Sequence, residues 1–217
     1  MKKNSKIVCI FAHPDDEAFG PAGTIAKYAQ KVEVYIICVT DGNDKTHYTH
    51  ELSKIRKKEI QTSADILRVK KVFFLDYSDG ELCNNIYHKV ALDLEKTLRK
   101  IKPSVLITFE PRGVTGHIDH IFCTMVTSFV FNKLPFITKL WYFCASSDYA
   151  KKMKGYFIYF PPGYEKRQVH KVVDVSPYWN QKIMAIKAHK SQAKDINTAL
   201  KYLKNLPKEE YFMEIKK

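Results

Sequence analysis

Long hydrophobic runs are missing from this sequence of 217 residues. A membrane-spanning helix needs about 20 predominantly apolar residues, whereas the apolar run at residues 7–12 is followed at once by His13, Asp15 and Asp16. The run is also too short, and too closely followed by charge, to be the core of a signal peptide. We therefore expect a cytoplasmic protein with no transmembrane segment, in which residues 7–12 form a buried first strand.

Cysteine is scarce and shows no pairing pattern. The five cysteines are odd in number, include no Cys-x-x-Cys pair and lie mostly in apolar runs. This pattern is typical of buried core thiols in a reducing compartment. It argues against a disulfide framework and against a metal site built from thiolates.

The glycines do not form a phosphate-binding loop. Gly20 and Gly23 follow the first apolar run, but they do not complete a Gly-x-Gly-x-x-Gly pattern. The carboxylates just before them would repel an anion. A non-catalytic dinucleotide-binding module is therefore disfavoured.

Positive charge is in excess, with 36 Lys and Arg against 23 Asp and Glu and a formal net charge of +13. The lysines are scattered, and no zinc-finger, KH or RNP signature is present. A lysine-rich surface that keeps the protein soluble is the simplest interpretation. The other interpretation is attraction to an anionic partner: a phosphorylated substrate, an anionic membrane surface or nucleic acid. An anionic substrate comes second, and nucleic acid, which we do not expect as a partner, comes third.

Strand-like and helix-like segments alternate through the first two-thirds of the chain. Apolar β-rich runs predict strands at residues 7–12, 32–39, 72–75, 105–109 and 140–144. Helical spacing predicts helices at 18–30, 52–67 and 87–100, and a fourth helix that follows the loop at 110–116 and ends at about residue 131. Such alternation favours a Rossmann-like, mostly parallel sheet with helices on both faces. Two more strands at 156–160 and 169–175 and a helix at 178–190 suggest a small β-containing C-terminal extension. With no linker or repeat, we predict one α/β domain over residues 1–217.

Two clusters of histidine and aspartate follow predicted strands. His-Pro-Asp-Asp-Glu begins at His13, and Gly-His-Ile-Asp-His ends at His120. Ligands of open α/β sheets bind at the carboxyl ends of the strands, so we expect both clusters at one edge. A hydrolytic zinc site needs three His or carboxylate ligands, an open position for water and a free carboxylate base. His13 and Asp16 can turn inward together, and either His117 or His120 can add a third ligand.

Each of these residues, taken alone, has a simpler explanation. An aspartate at a strand end usually shapes a turn or caps a helix, and a histidine on a helix is commonly an ordinary helix residue. The occurrence of two such clusters, each at a predicted strand exit, favours a functional site.

The same two clusters resemble a known family. Ala-His-Pro-Asp-Asp-Glu at residues 12–17 and Gly-His-Ile-Asp-His at 116–120 are similar, in order and spacing, to the motifs of the LmbE-like or PIG-L zinc-dependent de-N-acetylases. The resemblance covers most of the chain. Ile118 replaces the proline that is usual in the second motif, which changes backbone stiffness but removes no functional group.

The resemblance implies a role for each residue. One divalent ion, zinc or ferrous iron, would be bound by three residues: His13, Asp16 and His120. Asp15 would act as the general base. His117, in protonated form, would stabilise the oxyanion or protonate the leaving amine, and Asp119 would keep His117 oriented and charged.

Substrate contacts are implied by position. Arg56, in an Arg-x-x-Glu of the second long helix, and Asp79, after the third strand, match family positions that face the substrate. Arg112 lies near the proposed mouth, and with Arg56 it suggests an anionic aglycone. A C-terminal His-x-Ser-Gln beginning at His189 also matches the family, and Thr115 stands where some members carry a tyrosine.

The predicted function is zinc-dependent removal of an acetyl group from an N-acetylglucosamine-type sugar or its conjugate. The alternative is a metal-dependent hydrolase that uses the same site on a different small amide or ester. The sequence leaves the aglycone open, and a homo-oligomer is compatible with it.

Overall fold

A computed structural model describes residues 5–44 and 50–217. Within them, one sheet is formed by β1 (Lys6–Phe11), β2 (Glu33–Asp44), β3 (Lys71–Asp79), β4 (Val105–Phe109), β5 (Lys139–Cys144), β6 (Lys171–Asp174) and β7 (Glu209–Lys216). The helices are α1 (Asp16–Phe19), α2 (Ala22–Ala29), α3 (His50–Ile66), α4 (Tyr87–Ile101), α5 (Gly113–Gly116), α6 (Ile118–Lys133), α7 (Ser147–Lys152), α8 (Trp179–Ala188) and α9 (Ala193–Leu203).

The strand order of the sheet is β3-β2-β1-β4-β5-β7-β6. The first five strands in the chain pair in parallel, and β7 pairs antiparallel with both β5 and β6. The chain moves from β1 outward to β3, and then returns to place β4 on the other side of β1. The carboxyl ends of β1 and β4 therefore form the switch point at which open α/β sheets bind ligands.

The core explains why the central strands form. Every residue of β4 is buried, and β1 is buried from its second residue onward. Both are rich in β-branched and aromatic side chains, as expected for parallel strands covered on both faces. Helices α1, α2 and α3 pack with α8, and α4 packs with α6. The predicted Rossmann-like sheet with surrounding helices is thus confirmed.

Three local predictions were wrong. The helix predicted at 18–30 is two helices, because the Gly20-Pro21 pair interrupts it and proline lacks the N–H that a continuous helix requires. Residues 156–160 form bends and turns rather than a strand. The expected C-terminal β extension instead completes the main sheet, since β7 lies between β5 and β6.

A buried ion pair joins α8 to β7, and its carboxylate also contacts the start of α2. Lys182 and Glu210 are each 3% exposed, and Nζ of Lys182 lies 2.7 Å from Oε1 of Glu210. The same carboxylate accepts the backbone N–H groups of Gly23 and Thr24, at 3.0 and 2.7 Å. These are free N–H groups of the first turn of α2, so Glu210 serves as a distant cap for that helix.

We expect Lys182→Ala to lower the free energy of unfolding by about 3–5 kcal/mol, because it leaves a buried carboxylate without its cation. The neighbouring Lys166–Glu209 pair is a matched control, since it has the same 2.7 Å separation but side chains that are 58% and 24% exposed. Lys166→Ala should cost less than about 1 kcal/mol. Urea denaturation measures the free energy of unfolding of both variants. Equal losses of stability would show that burial does not determine how much each ion pair contributes.

No helix in the described ranges, 5–44 and 50–217, is long and apolar enough to cross a membrane.

Candidate active site

The two histidine and aspartate clusters meet at the switch point of the sheet. His13 follows β1, His117 is the N-cap of α6, and His120 lies in the first turn of that helix. The ring centroid of His13 lies 4.7 Å from that of His117 and 5.2 Å from that of His120. The structure therefore brings the two clusters together at one edge, as the sequence predicts.

Three side chains at this edge have the spacing of ligands around one metal ion. Nδ1 of His13 lies 3.2 Å from Nε2 of His120. Oδ2 of Asp16 lies 3.5 Å from Nδ1 of His13, and Oδ1 of Asp16 lies 3.2 Å from Nε2 of His120. Ligands about 2.0–2.2 Å from a tetrahedral zinc ion are separated from one another by about 3.3–3.6 Å. The three predicted metal ligands thus fit a single ion of this size.

Other groupings share His13. The ring nitrogens of His13, His117 and His120 lie within 4.8 Å of one another, as do ligand atoms of His13, Asp79 and Asp119. Asp16 is set apart because its carboxylate contacts both His13 Nδ1 and His120 Nε2, whereas Asp79 and Asp119 contact the other nitrogen of His13, and because it adds negative charge that the His13, His117 and His120 grouping lacks. The assignment of Asp16 over His117 stays a prediction that the variants described below can decide.

Gly113 and Phe109 fix the orientation of the His120 ring. Its Nδ1 lies 3.0 Å from the carbonyl oxygen of Gly113, to which it donates, and its ring stacks on Phe109 with centroids 4.0 Å apart. Gly113 has φ +72°, and a Cβ there would lie 3.0 Å from the Cβ of His120. Donation from Nδ1 leaves the lone pair of Nε2 facing the candidate metal position, as in metal-binding histidines.

The charges around His13 favour a cation. Burial opposes a positive charge on this ring, but hydrogen bonds to Asp119, Asp16 and Asp79 outweigh burial and raise the pKa of His13 well above its usual range. Oδ1 of Asp79 lies 3.0 Å from Nε2, and Oδ2 of Asp119 lies 3.3 Å from it. Asp16 is the carboxylate on the Nδ1 side of the ring, next to His120, whereas Asp79 and Asp119 are on the Nε2 side, where such partners orient a metal-binding histidine.

Asp15 is held in an unusual backbone conformation beside the proposed ligands. Its φ is 143°, a region that favours glycine, and such strain is commonly found at functional positions. Nη2 of Arg56 donates to the Asp15 carboxylate at 2.9 Å and to the carbonyl of Pro14 at 3.0 Å. Burial raises the pKa of Asp15 to about 7, against the lowering effect of the Arg56 cation. A carboxylate with such a pKa is suited to accept a proton near neutral pH.

His117 is oriented through the main chain. The backbone N–H of Asp119 donates to its Nδ1 at 3.2 Å, so the neutral ring carries its proton on Nε2. Burial, together with the neighbouring His13 and His120, lowers the pKa of His117. We expected the Asp119 carboxylate to orient His117. It instead contacts Nε2 of His13 and accepts the N–H of Gly80 at 2.8 Å. In its neutral form the ring offers an Nε2–H donor, and the role of His117 toward an oxyanion stays a prediction.

A buried network that the sequence did not predict supports the Asp15 loop. Glu17 and His189 are both 0% exposed, and Nε2 of His189 lies 2.8 Å from Oε1 of Glu17. Ser63 donates to the same oxygen at 2.6 Å, and Oε2 of Glu17 accepts the backbone N–H of Asp15 at 3.2 Å. Both Glu17 and His189 lie in segments that match the family, which is the one signal that could have paired them.

We expect His189→Ala to lower the free energy of unfolding by about 3–5 kcal/mol, because it leaves the buried Glu17 carboxylate without the partner that lies 2.8 Å from it. His189→Gln keeps an N–H donor within reach and should recover part of that loss. Thermal or urea unfolding of the two variants provides the measurement. An alanine variant as stable as the glutamine variant would mean that the Glu17 contact contributes little.

The cavity in front of the site has a volume of about 820 Å³, including its open mouth. Arg56 and Asp79 line it, as expected for substrate contacts. The opposite wall comes from α7, the segment after it and α9, with Tyr149, Tyr156, Phe157 and Asp195 among its residues. A second cavity, of about 800 Å³ and mostly apolar, adjoins the site behind Asp16 and His120 and is lined by Phe19, Phe143 and Trp179, among others.

Arg112 is placed differently from the other candidate substrate residues. Its guanidinium lies over the Tyr164 ring, 4.5 Å from the centroid, and its Nε donates to Glu110 at 3.2 Å. Glu110 also accepts the hydroxyl of Tyr164. These contacts fasten the loop after β4, and a substrate contact by Arg112 stays a prediction.

The chain matches known proteins over the same region. The family described as PIG-L, GlcNAc-PI de-N-acetylase, matches residues 8–130, which contain both motifs. Diacetylchitobiose deacetylase of Thermococcus kodakarensis is 30% identical over 195 residues, covering 86% of this chain and 70% of that protein.

Solved structures show the same fold. N,N'-diacetylchitobiose deacetylase from Pyrococcus horikoshii superposes with a TM-score of 0.71 at 29% identity, covering 99% of this chain and 85% of that one. A 4-carboxy-2-hydroxymuconate hydratase, GalB from Pseudomonas putida, has a TM-score of 0.71 at only 14% identity, covering 97% and 96%. The second likeness concerns the fold alone. With both motifs inside the matched region, the chain belongs to the PIG-L family of GlcNAc-PI de-N-acetylases.

Proposed function

We propose that this protein is a metal-dependent hydrolase that removes the acetyl group from an N-acetylglucosamine-type sugar or its conjugate. The observation that carries the proposal is the close triangle of His13, Asp16 and His120 with the buried carboxylate of Asp15 beside it. The diacetylchitobiose deacetylases among its relatives support this class of substrate.

His13, Asp16 and His120 would hold one divalent ion, zinc or ferrous iron. When bound, such an ion acidifies water and polarises an amide carbonyl as a Lewis acid. Nitrogen and carboxylate donors suit either metal.

Asp15 takes a proton from the water that attacks the amide carbon. Arg56 and the Glu17 side chain hold Asp15 in place through its carboxylate and its backbone N–H, respectively. The Nε2–H of His117 donates to the carbonyl oxygen as negative charge develops there, an effect typically worth about 10²–10³ in rate. The C–N bond then breaks as the amine nitrogen receives the proton that Asp15 took from the water, which yields acetate and the free amine.

The cavity walls suit a sugar carrying a small acyl group. Asp79 can accept hydrogen bonds from hydroxyls, and the rings of Tyr156 and Phe157 can face a pyranose. The apolar cavity behind Asp16 and His120 is suited to the acetyl methyl group. Arg56 lines the cavity with its guanidinium paired to Asp15 and Asp79, and a preference for an anionic aglycone stays a prediction. Equal activity on a neutral N-acetyl sugar and on its charged conjugate would refute that last feature.

Metal analysis joined to an acetate-release assay tests the proposal. We expect one divalent ion per chain, and acetate from at least one of a panel of N-acetylglucosamine, diacetylchitobiose and N-acetylglucosaminyl conjugates of inositol or malate. Chelation should abolish the release, and zinc or ferrous iron should restore it. The proposal fails if the protein binds no divalent metal and releases no acetate after either ion is added. Turnover of other small amides or esters, assayed beside the panel, without turnover of any N-acetyl sugar would favour the alternative hydrolase.

A further inference from the structure

Three consecutive large apolar side chains are exposed in the segment after α7. Phe157 is 36% exposed, Ile158 109% and Tyr159 64%. Single exposed apolar residues are ordinary on protein surfaces, but an exposed run of three is uncommon without a function. We call residues 157–159 the apolar tip.

Positive charge directly precedes the apolar tip. Lys151, Lys152 and Lys154 are all exposed. Asp148 lies 3.8 Å from Lys151, with both side chains mostly in solvent, so that pair neutralises little. In the described parts of the chain, Lys152 and Lys154 have no carboxylate within ion-pair distance. The apolar tip is therefore next to a cluster of solvated cations.

Packing holds this segment at the mouth of the candidate active site. Tyr156 and Phe157 line the cavity, and the Tyr156 hydroxyl donates to the Asp195 carboxylate on α9. The carbonyl oxygen of Tyr159 lies against Gly116, where a Cβ would approach it to 2.7 Å. Gly116 immediately precedes His117, so the apolar tip is beside the opening of the cavity.

We propose that the apolar tip binds the surface of an anionic lipid bilayer, with Ile158 and Tyr159 entering the interface and the three lysines contacting headgroups. Tyrosine is favoured at membrane interfaces, where its ring is in apolar surroundings and its hydroxyl is hydrated. Basic residues near such a surface each strengthen binding roughly fivefold. A net charge of +13 acts in the same direction.

The charges argue against self-association through the same surface. Two copies that met tip to tip would bring six lysines together, whereas an anionic bilayer complements them. Bound this way, the protein would present the cavity mouth to substrates at a membrane surface. Surface binding does not depend on the proposed reaction, and it can be measured without any activity.

Co-sedimentation with lipid vesicles tests the proposal. We expect binding to vesicles of equal parts phosphatidylcholine and phosphatidylglycerol, weak binding to phosphatidylcholine alone, and loss of binding at high salt. Ile158→Asp should weaken binding by about tenfold or more, since it removes the inserted side chain and adds a like charge to the lipid. Leu92→Asp, at a position on α4 that is 52% exposed, is the matched control and should leave binding unchanged.

The lysines are tested in the same assay. Replacing all three by glutamine should weaken binding roughly a hundredfold. A control that removes the same charge from exposed positions on α3 and α4, through Lys58→Gln, Lys96→Gln and Lys100→Gln, should have a much smaller effect. Circular dichroism verifies that each variant is folded.

Failure to bind either kind of vesicle would overturn the proposal. Equal losses of vesicle binding in the tip variants and in their controls would overturn it too, because binding would then depend only on the net charge of the protein. Sedimentation velocity tests the other occupant, a second copy of the chain. If the protein self-associates, Ile158→Asp abolishes that association and no vesicle binding is seen, the apolar tip is a surface for self-association and the proposal is wrong. An inactive protein that still binds vesicles would refute the proposed function and leave this inference standing.

Discussion

Replacing His13 by alanine should leave the protein folded but without metal and without acetate release. His13 is one of three side chains whose ligand atoms approach one another to 3.2–3.5 Å, and two remaining ligands hold a divalent ion poorly. Loss of a group that only supports a ligand costs roughly 10–100-fold in affinity, so loss of a ligand should cost more. Metal content after dialysis and the rate of acetate release are the two measurements.

Matched variants test whether Asp16 or His117 is the third metal ligand beside His13 and His120. His88→Ala changes an exposed histidine on α4 and should keep both metal and activity. If Asp16 is the third ligand, Asp16→Ala loses the metal and His117→Ala keeps it. The reverse outcome would replace Asp16 by His117, and metal retained in full by His13→Ala would overturn the site itself.

Asp15→Asn should keep the metal and slow acetate release by about 10²–10⁴, the range contributed by a positioned general base. Asparagine has nearly the same shape and still accepts the hydrogen bond from Arg56, but it cannot take a proton from water. Metal content, unfolding and single-turnover acetate release distinguish loss of chemistry from loss of structure.

Asp76→Asn is the control for this experiment. Asp76 has a positive φ of 58° and pairs with Lys57, so it resembles Asp15 in backbone strain and in having a basic partner. It should keep full activity. A fully active Asp15→Asn would move the base elsewhere, and a metal-free one would make Asp15 a structural residue.

Local pattern was sufficient to predict the parallel half of the sheet. The strand predicted at residues 105–109 coincides with β4, and that at 7–12 differs from β1 by one residue at each end. Both are short apolar runs bounded by polar residues, and their hydrophobicity is required by burial on two faces. Because strand exits and the switch point follow from this order, the meeting of the two clusters was also predictable.

The C-terminal third was less predictable, because its strands depend on distant partners. Residues 156–160 have strong β propensity but no neighbouring strand to pair with, and they lie on the surface. β7 contains four charged residues among eight, and its pairing with β5 joins segments about 70 positions apart. α9 was not predicted either. Propensity scales describe local preference, whereas these elements are selected by tertiary pairing.

Within the candidate site, sequence predicted which residues meet but not how they are supported. The contact of Glu17 with His189 spans 172 positions, and that of Arg56 with Asp15 spans 41. Neither follows from spacing along a helix or strand. The direction of the Asp119 carboxylate, toward His13 rather than His117, likewise depends on where β3 places Gly80.

The place of β7 in the sheet has a consequence for biosynthesis. This strand follows every other described element along the chain, yet it lies between β5 and β6. A ribosome that releases the chain from its N-terminus therefore exposes β6 before the strand that joins it to the sheet exists, and Glu210 reaches α2 only at the same late stage. Until then, unpaired strand edges are open to proteases and to neighbouring nascent chains. Enzyme yield in the cell should thus depend on how quickly these last contacts close.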